Sequence, residues 1–305
     1  MVAGEKTFPI KTSPACQLKW TWSTIRLYEG TTSSCHRTSK CNIDVDNFDT
    51  FHNTDAKVKD RQKMLSGEWP GRGCEYCKNI EDVGGKSDRL HHSSIPNLSP
   101  IELETDLTAT IVTPKIIEVY FDNTCNLQCV YCWDGFSSKI QAENKKFGKF
   151  ESEGVVLDNY ATKVPDINAL TDKFFEWLSK HHNGIKQFHF LGGEPFYQRQ
   201  FDRLLDFFDD HPSPNLEFTI VSNLTVPQER IQSYIQRIKG MIGKKKLRRL
   251  DIMASLDCFG PEQEYVRHGV NLQQWKDNFE YLAKQRWVYL NFNQTHTGLT
   301  LKTAP

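Results

Sequence analysis

Cys125-Asn126-Leu127-Gln128-Cys129-Val130-Tyr131-Cys132 is the stretch on which the reading of this 305-residue chain turns. Its three thiols, spaced C-x3-C-x2-C, follow directly on an apolar, strand-like run at residues 116–121. Iron–sulfur clusters are usually held by four thiolates, so a tight run of three points to a four-iron cluster with one iron open to another ligand. An open iron is a place for chemistry. The rival reading is a zinc site completed by a distant histidine.

Working outward, strands and helices alternate from about residue 114 onward. The strand-like runs are 116–121, 187–191, 217–221, 250–256 and 288–292, and the helix-like ones are 167–181, 199–210, 227–242 and 272–284. Alternation of this kind predicts βα units and a parallel sheet. In such sheets functional residues gather at the carboxyl ends of the strands. The polar motifs fall there: the cysteines after the first strand, Gly192-Gly193-Glu194-Pro195 after the second, Ser222-Asn223 after the third, and Asp257 after the fourth. Residues 133–165 have weak periodicity and read as a functional lid or a mobile connection.

Composition sets the outer bounds. Basic and acidic side chains number 38 each, so no whole-molecule field favours nucleic acid or an anionic membrane. A mean hydropathy of −0.57 fits a soluble globular protein. No apolar run approaches the ~20 residues needed to cross a bilayer. The amino-terminal residues lack the apolar core of a secretion signal, which makes the cytoplasm the expected location. Nine cysteines, an odd number clustered in pairs and triplets, favour metal ligation over disulfides. The basic run ending Lys244-Lys245-Lys246-Leu247-Arg248-Arg249 reads as a solvated turn before a strand rather than a phosphate-binding patch.

With these residues in view, the chain resembles the radical S-adenosylmethionine (SAM) enzymes over about residues 114–295. Cys125, Cys129 and Cys132 match the family's three-cysteine motif, with an aromatic Tyr131 before the last cysteine, and Gly192-Gly193-Glu194-Pro195 matches its GGEP segment. Ser255-Leu256-Asp257 followed by Tyr265-Val266-Arg267-His268-Gly269 resembles a segment common in peptide-modifying members. The resemblance implies a partial (β/α) TIM-like barrel of five to six βα units. It also implies a 4Fe-4S cluster on the three cysteines, SAM chelated at the open iron, and reductive cleavage to a 5′-deoxyadenosyl radical that takes a substrate hydrogen. Glu194 would accept from the SAM ammonium, and Gly192 and Gly193 would let backbone approach the ligand. Tyr131 would lie near the adenine. Ser222, Asn223, Ser255 and Asp257 are candidates for hydroxyl and carboxylate contacts, and Arg267 would fork the methionyl carboxylate.

Residues 1–113 differ in texture, with strand-like pieces at 18–27, a helix expected over 55–66 and a connector at 93–100. Cys16, thirteen residues, Gly30, four residues and Cys35 precede Trp69-Pro70 and Cys74-Glu75-Tyr76-Cys77. This resembles the auxiliary-cluster module called a twitch domain, related to the larger SPASM domain. It implies a second 4Fe-4S cluster on Cys16, Cys35, Cys74 and Cys77, with Cys41 competing for one place and a structural zinc ribbon as the rival occupant. Family members usually carry the module after the barrel, whereas here it precedes it. The expected domains are therefore 1–113, auxiliary, and 114–305, core. Only about five strands are counted in the core, so either the chain is truncated or another segment or partner completes the barrel wall. The favoured substrate is a peptide or protein side chain. The alternatives are a small metabolite or nucleoside-type compound and a non-catalytic metal-binding scaffold. A reductase such as flavodoxin or ferredoxin would be the electron-donating partner.

Overall fold

A computed structural model describes residues 14–94, 110–148, 151–152, 155–156 and 166–304. Most of the expected 93–100 connector and part of the 133–165 stretch lie outside them. The chain divides into two compact units, one comprising residues up to Ile25, Gly30–Glu118 and Asp172–Lys186, the other Arg26–Glu29, Val119–Thr171 and Gln187–Pro305.

The first unit opens with helix α1 (Leu18–Thr21), strands β1 (Trp22–Arg26), β2 (Thr31–Ser33) and β3 (Cys41–Asn42), and helices α2 (Asp55–Leu65), α3 (Glu75–Asp82) and α4 (Asp88–Ser94). Residues 18–27 read as one strand, yet the first four form a helical turn. That turn buries Trp20 against Met64, Cys74 and Val112, a gain that outweighs local strand preference. Helix α2 starts where Thr54 accepts from the amide of Lys57, an N-cap in the usual sense.

The interior beside α2 is polar and closely paired. Lys57 Nζ donates to Ser23 Oγ, Thr32 Oγ1 and the Phe51 carbonyl at 3.0, 2.7 and 2.9 Å. His52 is buried. Its Nε2 lies 3.0 Å from the Trp20 carbonyl and must carry the proton, so Nδ1 accepts from Ser23 Oγ at 3.2 Å. Phe51 packs edge-on against Trp177, with ring centroids 4.8 Å apart.

Strand β4 (Ile116–Tyr120) carries the chain into the second unit, whose elements are strand β5 (Gln128–Cys129), helix α5 (Ser138–Phe147) and the small hairpin β6 (Glu151–Ser152) and β7 (Val155–Val156). Helix α6 (Ile167–His181) begins here and ends in the first unit. Then follow β8 (Gln187–Leu191), α7 (Arg199–Asp210), β9 (Glu217–Ser222), α8 (Gln228–Gly243), β10 (Arg249–Ser255), α9 (Pro261–Val266), β11 (Arg267–His268), α10 (Leu272–Ala283) and β12 (Val288–Asn293). Strands β8, β9, β10 and β12 pair side by side in that order, all parallel. The order follows the chain with no reversal, which is the winding of a barrel wall rather than of a doubly wound sheet.

Register aligns Phe188 with Phe218, Phe218 with Leu250, and Leu250 with Val288, all of them buried. Helix α7 covers this layer with Phe201, Leu204, Leu205 and Phe208, the i, i+3, i+4, i+7 stripe that the sequence shows. Phe208 meets Phe188 edge-on at 5.7 Å. The sequence-based strands and helices of this half match within a residue or two. The short elements β5, β6, β7, α9 and β11 have no counterpart in that reading, nor does α5, inside the stretch read as lid or connection, where Ser137 caps the helix by accepting from the amide of Ile140.

Burial, with Lys57 and Arg61 nearby, holds the His52 imidazole well below its ordinary 6.5. The folded state therefore keeps it neutral while the unfolded chain takes up a proton below 6.5. Stability measured by urea unfolding should fall as pH drops from 6.5 toward the folded-state pKa, with a slope approaching about 1.4 kcal/mol per pH unit. His52→Gln should remove that slope, and an unchanged slope in the variant contradicts the assignment.

Candidate functional site

The three-thiol loop leaves β4 and is fixed at several points. Cys125 donates its amide to Ser138 Oγ at 3.1 Å, at the start of α5, and Ser137 Oγ donates to the Leu127 carbonyl at 2.7 Å. Strand β5 pairs antiparallel with β11, setting Cys129 opposite Arg267 and Gln128 opposite His268. Burial pushes the thiols up, Cys125 to about 12 and Cys132 to about 11, and each of the two feels at least one other thiol of the loop. Cys129 is raised by the same cause, with Arg267 pulling the other way. A positive centre is what would let such thiols ionise.

The GGEP segment is built against this loop. Gly193 has φ +54°, and a Cβ there would stand 2.1 Å from the Thr124 carbonyl oxygen. The glycine thus admits the chain's own backbone next to Cys125, where the sequence suggested approach to a ligand. The Glu194 amide then donates to that same carbonyl at 2.7 Å. The Glu194 side chain is fully buried and accepts from Asn223 N at 2.7 Å, Ser222 Oγ at 2.8 Å and Phe196 N at 3.2 Å. Burial raises its carboxyl to about 7 against these bonds. Three donors leave the carboxylate with lone pairs to spare.

Ser222 and Asn223 end β9 in a turn with a bulky residue in left-handed backbone, Leu224 at φ +52°. Asn278 of α10, fully buried, holds the turn by donating to the Leu224 and Val226 carbonyls, both at 2.8 Å. The turn aims Asn223 Nδ2 at Asn126 Oδ1, 2.9 Å away, while Asn126 donates to the Thr225 carbonyl. The sequence reading does not single out Asn126, Asn278 or Ser138.

Asp257, fully buried after β10, is engaged by the chain itself. It accepts from Arg267 Nε and Nη2, both at 2.9 Å, from the Tyr131 hydroxyl at 2.5 Å and from the Thr295 amide at 2.8 Å. Arg267, expected to fork the methionyl carboxylate, forks Asp257 instead, and its guanidinium lies 5.6 Å from the Tyr131 ring. Ser255 is buried, its carbonyl taken by the Trp275 indole N–H at 3.1 Å. Cys258 is buried beside Gln263.

In the first unit, Cys16, Cys35, Cys74 and Cys77 line one small cavity of about 30 Å3. Cys41 does not line it, and its sulfur lies 3.2 Å from Arg72 Nη2. Close backbone contact shapes the cavity: a Cβ on Gly73 would fall 2.1 Å from the Arg37 carbonyl, so only glycine brings Cys74 in beside the Cys35 loop. Burial pushes the Cys16 thiol up to about 12, with Cys35 adding to the rise.

All nine cysteines are free thiols. Among the described residues no three Cys, His, Asp or Glu side chains converge as a single bound ion requires. A four-iron cluster asks for something different, since each thiolate takes its own iron at a separate corner. The three-thiol loop and the Glu194 carboxylate fit a cluster and an amino-acid-bearing ligand such as SAM. No helix among the described residues is long and apolar enough to cross a membrane.

Residues 119–298 match the model of the Radical SAM superfamily. The chain is 26% identical over 180 residues to a protein named radical SAM cyclopropyl synthase TigE, from Paramaledivibacter caminithermalis, covering 55% of this chain and 34% of that one. It therefore spans about a third of that curated relative. Among solved structures, SuiB of Streptococcus suis bound to precursor peptide SuiA has 13% identity and a TM-score of 0.41, over 93% of this chain and 57% of SuiB. TYW1 with a lysine-pyruvate adduct has 14% identity and a TM-score of 0.31, over 58% and 53% of the two chains. The family match takes in more than half of the chain, including the cysteine loop, the GGEP segment and Asp257 with Arg267: this protein is a member of the Radical SAM superfamily.

Proposed function

We propose that this chain is an enzyme that cleaves SAM reductively and uses the resulting radical on a peptide or protein side chain, with an auxiliary cluster in its amino-terminal unit. The observation that carries the reading is the three-thiol loop clamped between the GGEP backbone and the Asp257–Arg267 pair. When bound, the cluster and SAM supply the radical chemistry, and the protein supplies position and exclusion of water. Cys125, Cys129 and Cys132 would hold three irons. Glu194, already fixed by Ser222 and Asn223, would take the ammonium of SAM with its remaining lone pairs. Tyr131, tied to Asp257, would keep its ring at the edge of the site. Arg267 and Asp257 act on the loop rather than on the ligand. Their bidentate contact holds a guanidinium against Cys129.

The auxiliary cluster is supported by the meeting of four thiols in one cavity. The peptide substrate is supported by the resemblance of the Ser255–Gly269 region to peptide-modifying members. Electrons would come from a reductase such as flavodoxin or ferredoxin.

Anaerobic reconstitution should give about eight irons per chain, falling to about four in Cys125→Ala and likewise in Cys74→Ala/Cys77→Ala. With dithionite and SAM the loaded wild type should release 5′-deoxyadenosine, and a fully loaded enzyme that releases none refutes the reading. A short peptide encoded beside the gene should change mass on turnover; a small metabolite consumed in its place would overturn the substrate assignment.

Asp257→Asn keeps the side chain's shape but removes the charge opposite Arg267. Such a bond is worth about 1.5–3 kcal/mol, so 5′-deoxyadenosine formation should drop about tenfold or more with the fold intact by circular dichroism. Gly193→Ala meets the Thr124 carbonyl and should lose iron from the SAM-binding cluster, read as the iron count on reconstitution.

A further inference from the structure

Lys19 and Asp60 form an ion pair at 2.6 Å with side chains only 3% and 7% exposed. Buried pairs of this kind seldom repay their desolvation, so one placed in a cavity wall calls for a reason. Lys19 sits on α1, and its amide is bonded to the Cys16 carbonyl at 3.0 Å. It lines the cavity with Cys16, Cys35, Cys74 and Cys77, whereas Asp60 does not. Of the two members of the pair, the cation is therefore the nearer to the thiols, with the carboxylate set farther from them. Arg61 steadies the arrangement by donating to the Lys19 carbonyl at 3.4 Å and to Asn53 Oδ1 at 2.9 Å.

An ammonium has three donors, and Asp60 takes one. The Cys74 thiol stands within reach of that ammonium.

We propose that Lys19, anchored by Asp60, is the positioning residue that sets how readily the four-cysteine site accepts an electron. This rests on the reading that the site holds a four-iron cluster. The step is a one-electron reduction: an external donor, reduced flavodoxin or dithionite, gives up one electron and the cluster gains it. No bond or proton is exchanged. Each electron adds one negative charge within reach of the ammonium, which favours the reduced state, and the carboxylate behind it opposes that state. Hydrogen bonds to sulfur and local charge are established levers on cluster potential.

The two members of the pair should therefore act in opposite directions. The test is an EPR-monitored potentiometric titration of the reconstituted full chain. The SAM-binding cluster is recognised by the change in its signal when SAM is added, the other by the absence of one. In Lys19→Met the midpoint of the SAM-insensitive cluster should move to more negative potential. In Asp60→Asn it should move to more positive potential, and in Lys19→Arg it should stay near wild type. The SAM-sensitive midpoint should stay put in all three. A merely structural pair would move both midpoints in one direction or lower the iron count without a shift. Two loaded clusters with unmoved or like-signed midpoints overturn this inference alone. A wild-type chain that binds only about four irons overturns the auxiliary reading and this inference with it. Should Lys19→Met fail to load, the Asp60→Asn and Lys19→Arg pair still decides: a rise in the first with none in the second is required.

Discussion

The candidate site hangs on one buried carboxylate. Asp257 has no exposed surface and accepts four hydrogen bonds, two of them from one guanidinium. Burying a charge is expensive unless it is paired and fully bonded, and here both conditions are met. Its four donors come from three places: Tyr131 in the cysteine loop, Arg267 on β11, and Thr295 beyond β12. The loop between Cys129 and Cys132 has few apolar anchors of its own, for Val130 and Tyr131 are both exposed. Without Asp257, little would hold that end of the loop to the strand ends. Backbone pairing between Cys129 and Arg267 supplies the second tie, and the guanidinium links the two.

The other end of the loop is fixed by backbone rather than charge. Gly193 lets the GGEP turn press on the Thr124 carbonyl, and Glu194 turns inward to gather the end of β9. The resulting chain of contacts, Thr124 to Glu194 to Asn223 to Asn126, returns to the residue after Cys125. The strain of Leu224 in left-handed backbone belongs to this arrangement, because relaxing it would swing Asn223 away. Asn278, reaching from α10 with a single amide nitrogen, holds it.

Much of this was legible in the sequence because periodicity and burial agree. The stripe Phe201, Leu204, Leu205, Phe208 covers a sheet from one side, and α7 extends two residues beyond it at each end. The position of each polar motif after a strand followed from the parallel winding. What escaped was whatever depends on pairing between distant segments. Strands β5 and β11 are two residues each, too short for any pattern. Helix α5 has no buried residue, so no apolar stripe announces it, and only its Ser137 cap gives a sign. The family resemblance assigns the Arg267 fork to the methionyl carboxylate of a ligand. That Asp257 already fills the fork is a matter of three-dimensional distance.

The two thiol sites also differ in the sign of the charge built around them. Near Cys125 the first charged neighbour is the Glu194 carboxylate, which works against ionisation of the thiol, while Cys129 has Arg267 matched by Asp257. Around Cys74 the first charged neighbour is Lys19, whose compensating carboxylate stands farther back. Negative surroundings make added electrons more costly, and positive surroundings make them less so. A centre that must push an electron onto a sulfonium is served by the first environment. On the reading proposed above, a cluster at the four-cysteine site would be served by the second. The asymmetry follows from four side chains, Glu194, Arg267, Lys19 and Asp60, none of which is a metal ligand.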